Sequence, residues 1–157
     1  MTDDAPEESP TAAEALHTTL DCSFEEAVDR VQLEHELAGF ESVATTRLDR
    51  LVEGVLGEAV TRTALVVVCH AEVARDAVDL DPALGGLLPC TTAVYEQDGE
   101  VHVHHLSATK AMRDLGCADA DDRDAMADLV ELTGERMRTV WENVEAIDAS
   151  YGAEPAG

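Results

Sequence analysis

The apolar positions in the first half of the chain switch between the period of a strand and that of a helix. Leu16, Thr18 and Leu20 fall on one face, which predicts a strand with one buried side. Ser23 and Glu26 form a capping box, a pair that satisfies the first backbone N–H groups of a helix. The predicted elements are strand Ala15–Leu20, a helix from Ser23 to Gly39, strand Phe40–Ala44 and an amphipathic helix from Leu48 to Gly57.

The second half begins with a run that is apolar on both faces, Ala64–Cys69, which predicts a central, buried strand. A short helix over Ala71–Val78 ends before Pro82, because proline and the residue that precedes it disfavour helical backbone. Asp98-Gly99 has the composition of a two-residue hairpin turn. The strands predicted on its two sides are Thr91–Tyr95 and Val101–His105.

A long final helix over residues 121–148 is predicted from apolar residues at alternating spacings of three and four. It either covers the sheet or packs partly on a second subunit. The order β-α-β-α-β-α-β-β-α predicts an α/β (α+β) two-layer sandwich, with a mixed sheet and a C-terminal β-hairpin. We expect one domain over residues 14–150, between a disordered acidic tail at 1–13 and a short C-terminal tail at 151–157.

The charge balance of the chain indicates the salt concentration in which the protein works. The chain carries 34 Asp and Glu against 10 Lys and Arg, a formal net charge of -24, and Lys110 is its single lysine. Such a surface repels itself at low ionic strength, whereas molar salt shortens the Debye length to about 3 Å. The composition resembles that of proteins from extreme halophiles, so we expect a salt-rich cytoplasm. No basic patch is available for phosphate contacts, which excludes nucleic acid as the expected partner.

The N-terminal stretch MTDDAPEESP has neither a positive segment nor an apolar one, so no targeting signal is predicted. No apolar run approaches the roughly 20 residues of a membrane span. We therefore expect a cytoplasmic protein without a membrane partner.

Two cysteines are the first candidates for chemistry. Cys69 closes the buried strand before a helix, where backbone N–H groups lower the pKa of a thiol, and Cys90 opens a later strand. If the two strands are neighbours, both sulfurs lie at one end of the sheet, with His70 beside them. Two thiols and an imidazole suit a soft metal such as copper or zinc, or a redox pair. Alternatively, the cysteines are core residues, since no C-x-x-C pair is present.

Histidines are the second candidates. His102 and His104 share one face of their strand, and His105 shares the other face with two valines. Valines toward the core would place His102 and His104 in water, where such a pair either shares a metal or is simply solvated. His35 lies near the apolar stripe of the first helix and is predicted to be a boundary histidine.

The stretch Gly86-Leu87-Leu88-Pro89-Cys90, about twenty residues after Cys69, resembles the domain-of-unknown-function 302 family in a haloarchaeal-type version. Further matching stretches are Phe24-Glu25-Glu26-Ala27-Val28, Gly39-Phe40, Asp81-Pro82 and Val94-Tyr95-Glu96. The resemblance covers roughly residues 15–148. It implies a small α/β fold that is often dimeric, so a homodimer is expected, and it implies no established molecular function.

The chain departs from the family pattern at two places. His70-Ala71 stands where the family tends to have Asn-Pro, and Ser107-Ala108-Thr109 replaces an Asp-Pro-like turn. Three functions stay open. The first is a non-enzymatic binding or sensing module for a metal or small ligand at Cys69, Cys90 and His70. The second is a thiol-based redox enzyme or carrier, and the third is an interaction domain with structural cysteines.

Overall fold

A computed structural model describes residues 16–117 and 120–147, so the predicted tails at 1–13 and 151–157 lie outside the described residues. The strands are β1 Leu16–Leu20, β2 Glu41–Arg47, β3 Thr63–Cys69, β4 Cys90–Gln97 and β5 Glu100–Leu106. The helices are α1 Phe24–Leu37, α2 Leu48–Leu56, α3 Ala71–Leu80, α4 Ala108–Asp114 and α5 Arg123–Glu145. Two short 3₁₀ helices span Pro82–Leu87 and Ala120–Asp122.

The five strands form one sheet in the order β1-β5-β4-β3-β2. The α/β class and the β4–β5 hairpin are confirmed, and the hairpin turn has positive φ at both Asp98 (56°) and Gly99 (81°). The sheet was expected to be mixed, but all four of its strand pairs are antiparallel. Val68 at the end of β3 pairs with Cys90 at the start of β4, so α3 turns the chain back at one end of the sheet.

Helices α1 and α5 cover one face of this sheet and bury the main apolar core against it. The helical core residues are Phe24, Ala27, Val31, Met137, Val140, Trp141 and Val144. The long final helix therefore covers the sheet, and its length by itself does not require a second subunit. None of the helices in the described ranges is long and apolar enough to span a bilayer.

Helix α4 corrects the predicted element order, because a further helix follows the hairpin where the sequence analysis placed no element. Ser107 caps it by accepting a hydrogen bond from the backbone N–H of Lys110 at 3.2 Å. Only Thr109 and Met112 are buried in its 7 residues. So short a helix has no apolar period to read in the sequence.

Candidate functional site

Three polar side chains meet inside the otherwise apolar layer between the sheet and α1. Thr92 and His105 stand directly opposite each other on β4 and β5, and the Oγ1 of Thr92 lies 2.8 Å from Nδ1 of His105. The same Oγ1 lies 3.2 Å from Nε2 of His35 on α1. His35 and Thr92 are 0% exposed and His105 is 2% exposed. His35, expected at the boundary, is therefore a core residue.

The second ring nitrogen of His105, Nε2, is buried and has no hydrogen-bond partner among the described residues. His105 also lines a cavity of about 270 Å³ bounded by β1, β5, the start of α4 and α5. Buried polar atoms are nearly always hydrogen-bonded, so this nitrogen requires an explanation. Burial, together with the nearby positive groups, lowers the pKa of His105 to about 3, so its ring is neutral at pH 7.

Two cations line the same cavity. Lys110 reaches it from α4 and Arg138 from α5, beside the hydroxyl-bearing Ser107. The chain has one lysine in 157 residues, and that lysine is at this cavity. Two positive charges therefore lie at one cavity in a protein whose formal net charge is -24.

Gly134 lines the cavity on the side formed by α5. A glycine inside a helix costs roughly 0.5–1 kcal/mol relative to alanine. A Cβ at this position would meet Nη1 of Arg138 at 3.8 Å, an ordinary contact distance. The missing side chain thus leaves space next to Arg138 rather than avoiding a clash.

Sequence reasoning missed Lys110, Gly134 and Arg138 as site residues. Two signals were present: a lone lysine in a lysine-poor chain, and a glycine inside the long final helix. Neither signal indicates a cavity until α4 and α5 are placed together.

The two predicted site cysteines point to opposite faces of the sheet. Cys90 shares the buried face with its pairing partner Val68, and Cys69 is the next residue after Val68, so it takes the other face. Among the described residues, no three His, Cys, Asp or Glu side chains are placed to hold a metal ion. The soft-metal site at Cys69, Cys90 and His70 stays a prediction.

His70, the third member of that prediction, packs against the turn between α1 and β2. Its ring stands nearly perpendicular to that of Phe40, with centroids 5.1 Å apart. Its Nδ1 lies 4.0 Å from a carboxylate oxygen of Glu72. The departure from the family pattern at residue 70 therefore supplies a packing contact at the start of α3.

The two thiols will react slowly in the folded protein. Burial raises the pKa of Cys90, and it also raises the pKa of Cys69, so little thiolate is present at neutral pH. We expect a disulfide reagent to modify Cys90 at least about tenfold more slowly than in denaturant. Peptide mapping after timed labelling measures this, and rapid labelling of folded Cys90 would support the redox alternative instead.

A second histidine cluster lies on the face of the sheet opposite α1 and α5, where His102 and His104 are half-buried. As predicted, His102 and His104 share that face, and β1 adds His17. Nε2 of His17 lies 3.0 Å from Nδ1 of His102, and the His102 ring stacks on Tyr95 with centroids 5.0 Å apart. A hydrogen bond from an N–H of one imidazole to the ring nitrogen of the other accounts for this contact without a metal.

The fold matches a solved structure, that of an uncharacterized conserved protein DUF302 from Bacillus stearothermophilus. The match has a TM-score of 0.67 at 16% identity, and covers 82% of this chain and 95% of that one. At this identity the match supports the fold alone. The family model described as "Domain of unknown function DUF302" matches residues 16–144, and the chain belongs to this family. No curated protein matches the chain. The expected homodimer and salt-rich setting stay predictions.

Proposed function

We propose that this chain is a small-anion-binding module and that the cavity between β5, α4 and α5 is its binding site. The observation that carries the proposal is that one cavity is lined by Lys110, by Arg138 and by His105, whose Nε2 is buried and unpartnered. The binding or sensing role expected from the sequence is kept, but its site moves from the cysteines to this cavity.

Charge and size both support an anion. Ammonium and guanidinium groups form charge-assisted hydrogen bonds to oxyanions, roughly twice as strong as those between neutral groups. The overall negative charge of the chain repels anions, so an anion is held only where cations such as these two offset that repulsion. A cavity of about 270 Å³ is near the lower end of ligand pockets, which suits a small oxyanion or organic acid.

Removing either cation should weaken anion binding. We expect Lys110→Gln and Arg138→Gln each to lower the affinity for inorganic phosphate about tenfold or more, which corresponds to about 1.4 kcal/mol or more. Titration calorimetry in KCl buffer at constant ionic strength measures this. The matched control is Arg50→Gln, which removes one exposed positive charge from α2 and should leave the affinity unchanged.

Filling the cavity provides an independent test. Gly134→Ala should keep phosphate binding, because a Cβ fits beside Arg138, whereas Gly134→Leu should abolish it by occupying the space. The proposal fails if wild-type protein shows no saturable phosphate binding. It also fails if Arg50→Gln weakens binding as much as Lys110→Gln.

A further inference from the structure

The three buried polar groups form a hydrogen-bond chain whose direction is fixed at one end. Nδ1 of His35 lies 2.7 Å from the backbone oxygen of Val31, and a carbonyl oxygen only accepts. Nδ1 of His35 therefore carries a proton. Burial lowers the pKa of His35, so the ring is neutral and its Nε2 has a lone pair.

Thr92 fixes which nitrogen of His105 carries the proton. Its single hydroxyl proton is donated to Nε2 of His35, since that nitrogen only accepts. The Oγ1 of Thr92 is then an acceptor toward His105, whose Nδ1 must donate across 2.8 Å. A neutral imidazole has one N–H, so Nε2 of His105 presents a lone pair.

Lys110, Arg138 and His105 line the same cavity, so an anion bound there lies among two cationic donors and one acceptor ring. Lys110 and Arg138 attract any oxyanion, but a lone pair on Nε2 repels an oxygen without hydrogen. An O–H group on the anion converts that repulsion into a hydrogen bond. A site with a buried acceptor rejects a ligand that lacks the matching donor.

We infer that the cavity selects oxyanions that carry an O–H group, hydrogen phosphate being the simplest, over fully deprotonated ones such as sulfate. The inference rests on the proposed anion site. Thr92 acts on this selectivity as a positioning residue, since it holds the ring of His105 in one tautomer.

Phosphate and sulfate form a matched pair of probes, because both are tetrahedral and both are dianions under mildly alkaline conditions. We expect wild-type protein to bind phosphate about tenfold or more tightly than sulfate in calorimetric titrations at equal ionic strength. His105→Gln should bring the two affinities within about twofold, because an amide both donates and accepts.

Thr92→Val tests the positioning role. Without the hydroxyl, His105 is free to place its proton on Nε2, so sulfate affinity should rise and the preference for phosphate should fall. The matched control is Thr91→Val, the neighbouring residue on the other face of β4, which should keep the preference. Circular dichroism confirms that each variant is folded.

The outcomes separate the two proposals. Equal binding of phosphate and sulfate by wild-type protein overturns the selectivity and leaves the anion site standing. Binding of neither anion overturns the anion site, and the selectivity with it. An unchanged ratio in folded His105→Gln also overturns the selectivity, since another group would then supply it.

Discussion

In dilute buffer the protein will lose most of its stability, and molar KCl will restore it. If every Lys and Arg is paired, 34 minus 10 leaves 24 carboxylates without a cationic partner. Their mutual repulsion acts over a Debye length of about 30 Å at 0.01 M salt but only about 3 Å at 1 M. Because unfolding separates these charges, repulsion favours the unfolded chain wherever it is unscreened.

Thermal unfolding followed by circular dichroism measures this effect. We expect the melting temperature to rise by about 10 °C or more between dilute buffer and molar KCl, equivalent to several kcal/mol for a chain of this size. A neutral osmolyte such as sucrose is the control, since it strengthens apolar burial without screening charge. A melting temperature that is the same in both buffers would contradict the halophilic setting.

His105→Leu will make the protein more resistant to acid than the wild type. The folded-state pKa of His105 is about 3, below the value of 6.5 expected in the unfolded chain. Between these values the unfolded state binds a proton that the folded state does not. The neutral ring's contribution is therefore fully present above pH 6.5 and is lost as the pH falls toward 3.

The difference between the two proteins isolates this histidine, because both share the same carboxylates. We expect the free energy of unfolding of the wild type to fall relative to His105→Leu by up to about 1.4 kcal/mol per pH unit below 6.5. Above pH 7 the difference should be constant. Thr92 still donates to His35 in the variant, so the rest of the chain of hydrogen bonds survives. Parallel pH curves for the two proteins would show that His105 titrates normally.

Most of the fold was predictable because its signals are local. The capping box at Ser23 and Glu26, the Asp98-Gly99 turn and the alternation on β5 each fix one element through short-range chemistry. Strand direction was not predictable in this way. The direction of β4 depends on the end of the sheet at which it begins after α3, and no local sequence pattern indicates that end.

The candidate site was less accessible from sequence than the fold. Cys69 and Cys90 stood out as reactive residue types, yet a one-residue offset in the β3–β4 register places them on opposite faces. Lys110 and Arg138 are 28 positions apart on two helices, one of which the sequence did not predict. Both residues line one cavity because α4 packs against α5, and this packing is visible only in the three-dimensional structure.

Nitrogen-15 NMR of the imidazole rings tests the anion cavity most directly. At neutral pH we predict that Nδ1 of His105 is protonated and Nε2 is not, and that inorganic phosphate shifts the Nε2 resonance saturably in the wild type but only weakly in Lys110→Gln. A His105 Nε2 resonance that stays unmoved at high phosphate concentration would contradict binding at this cavity.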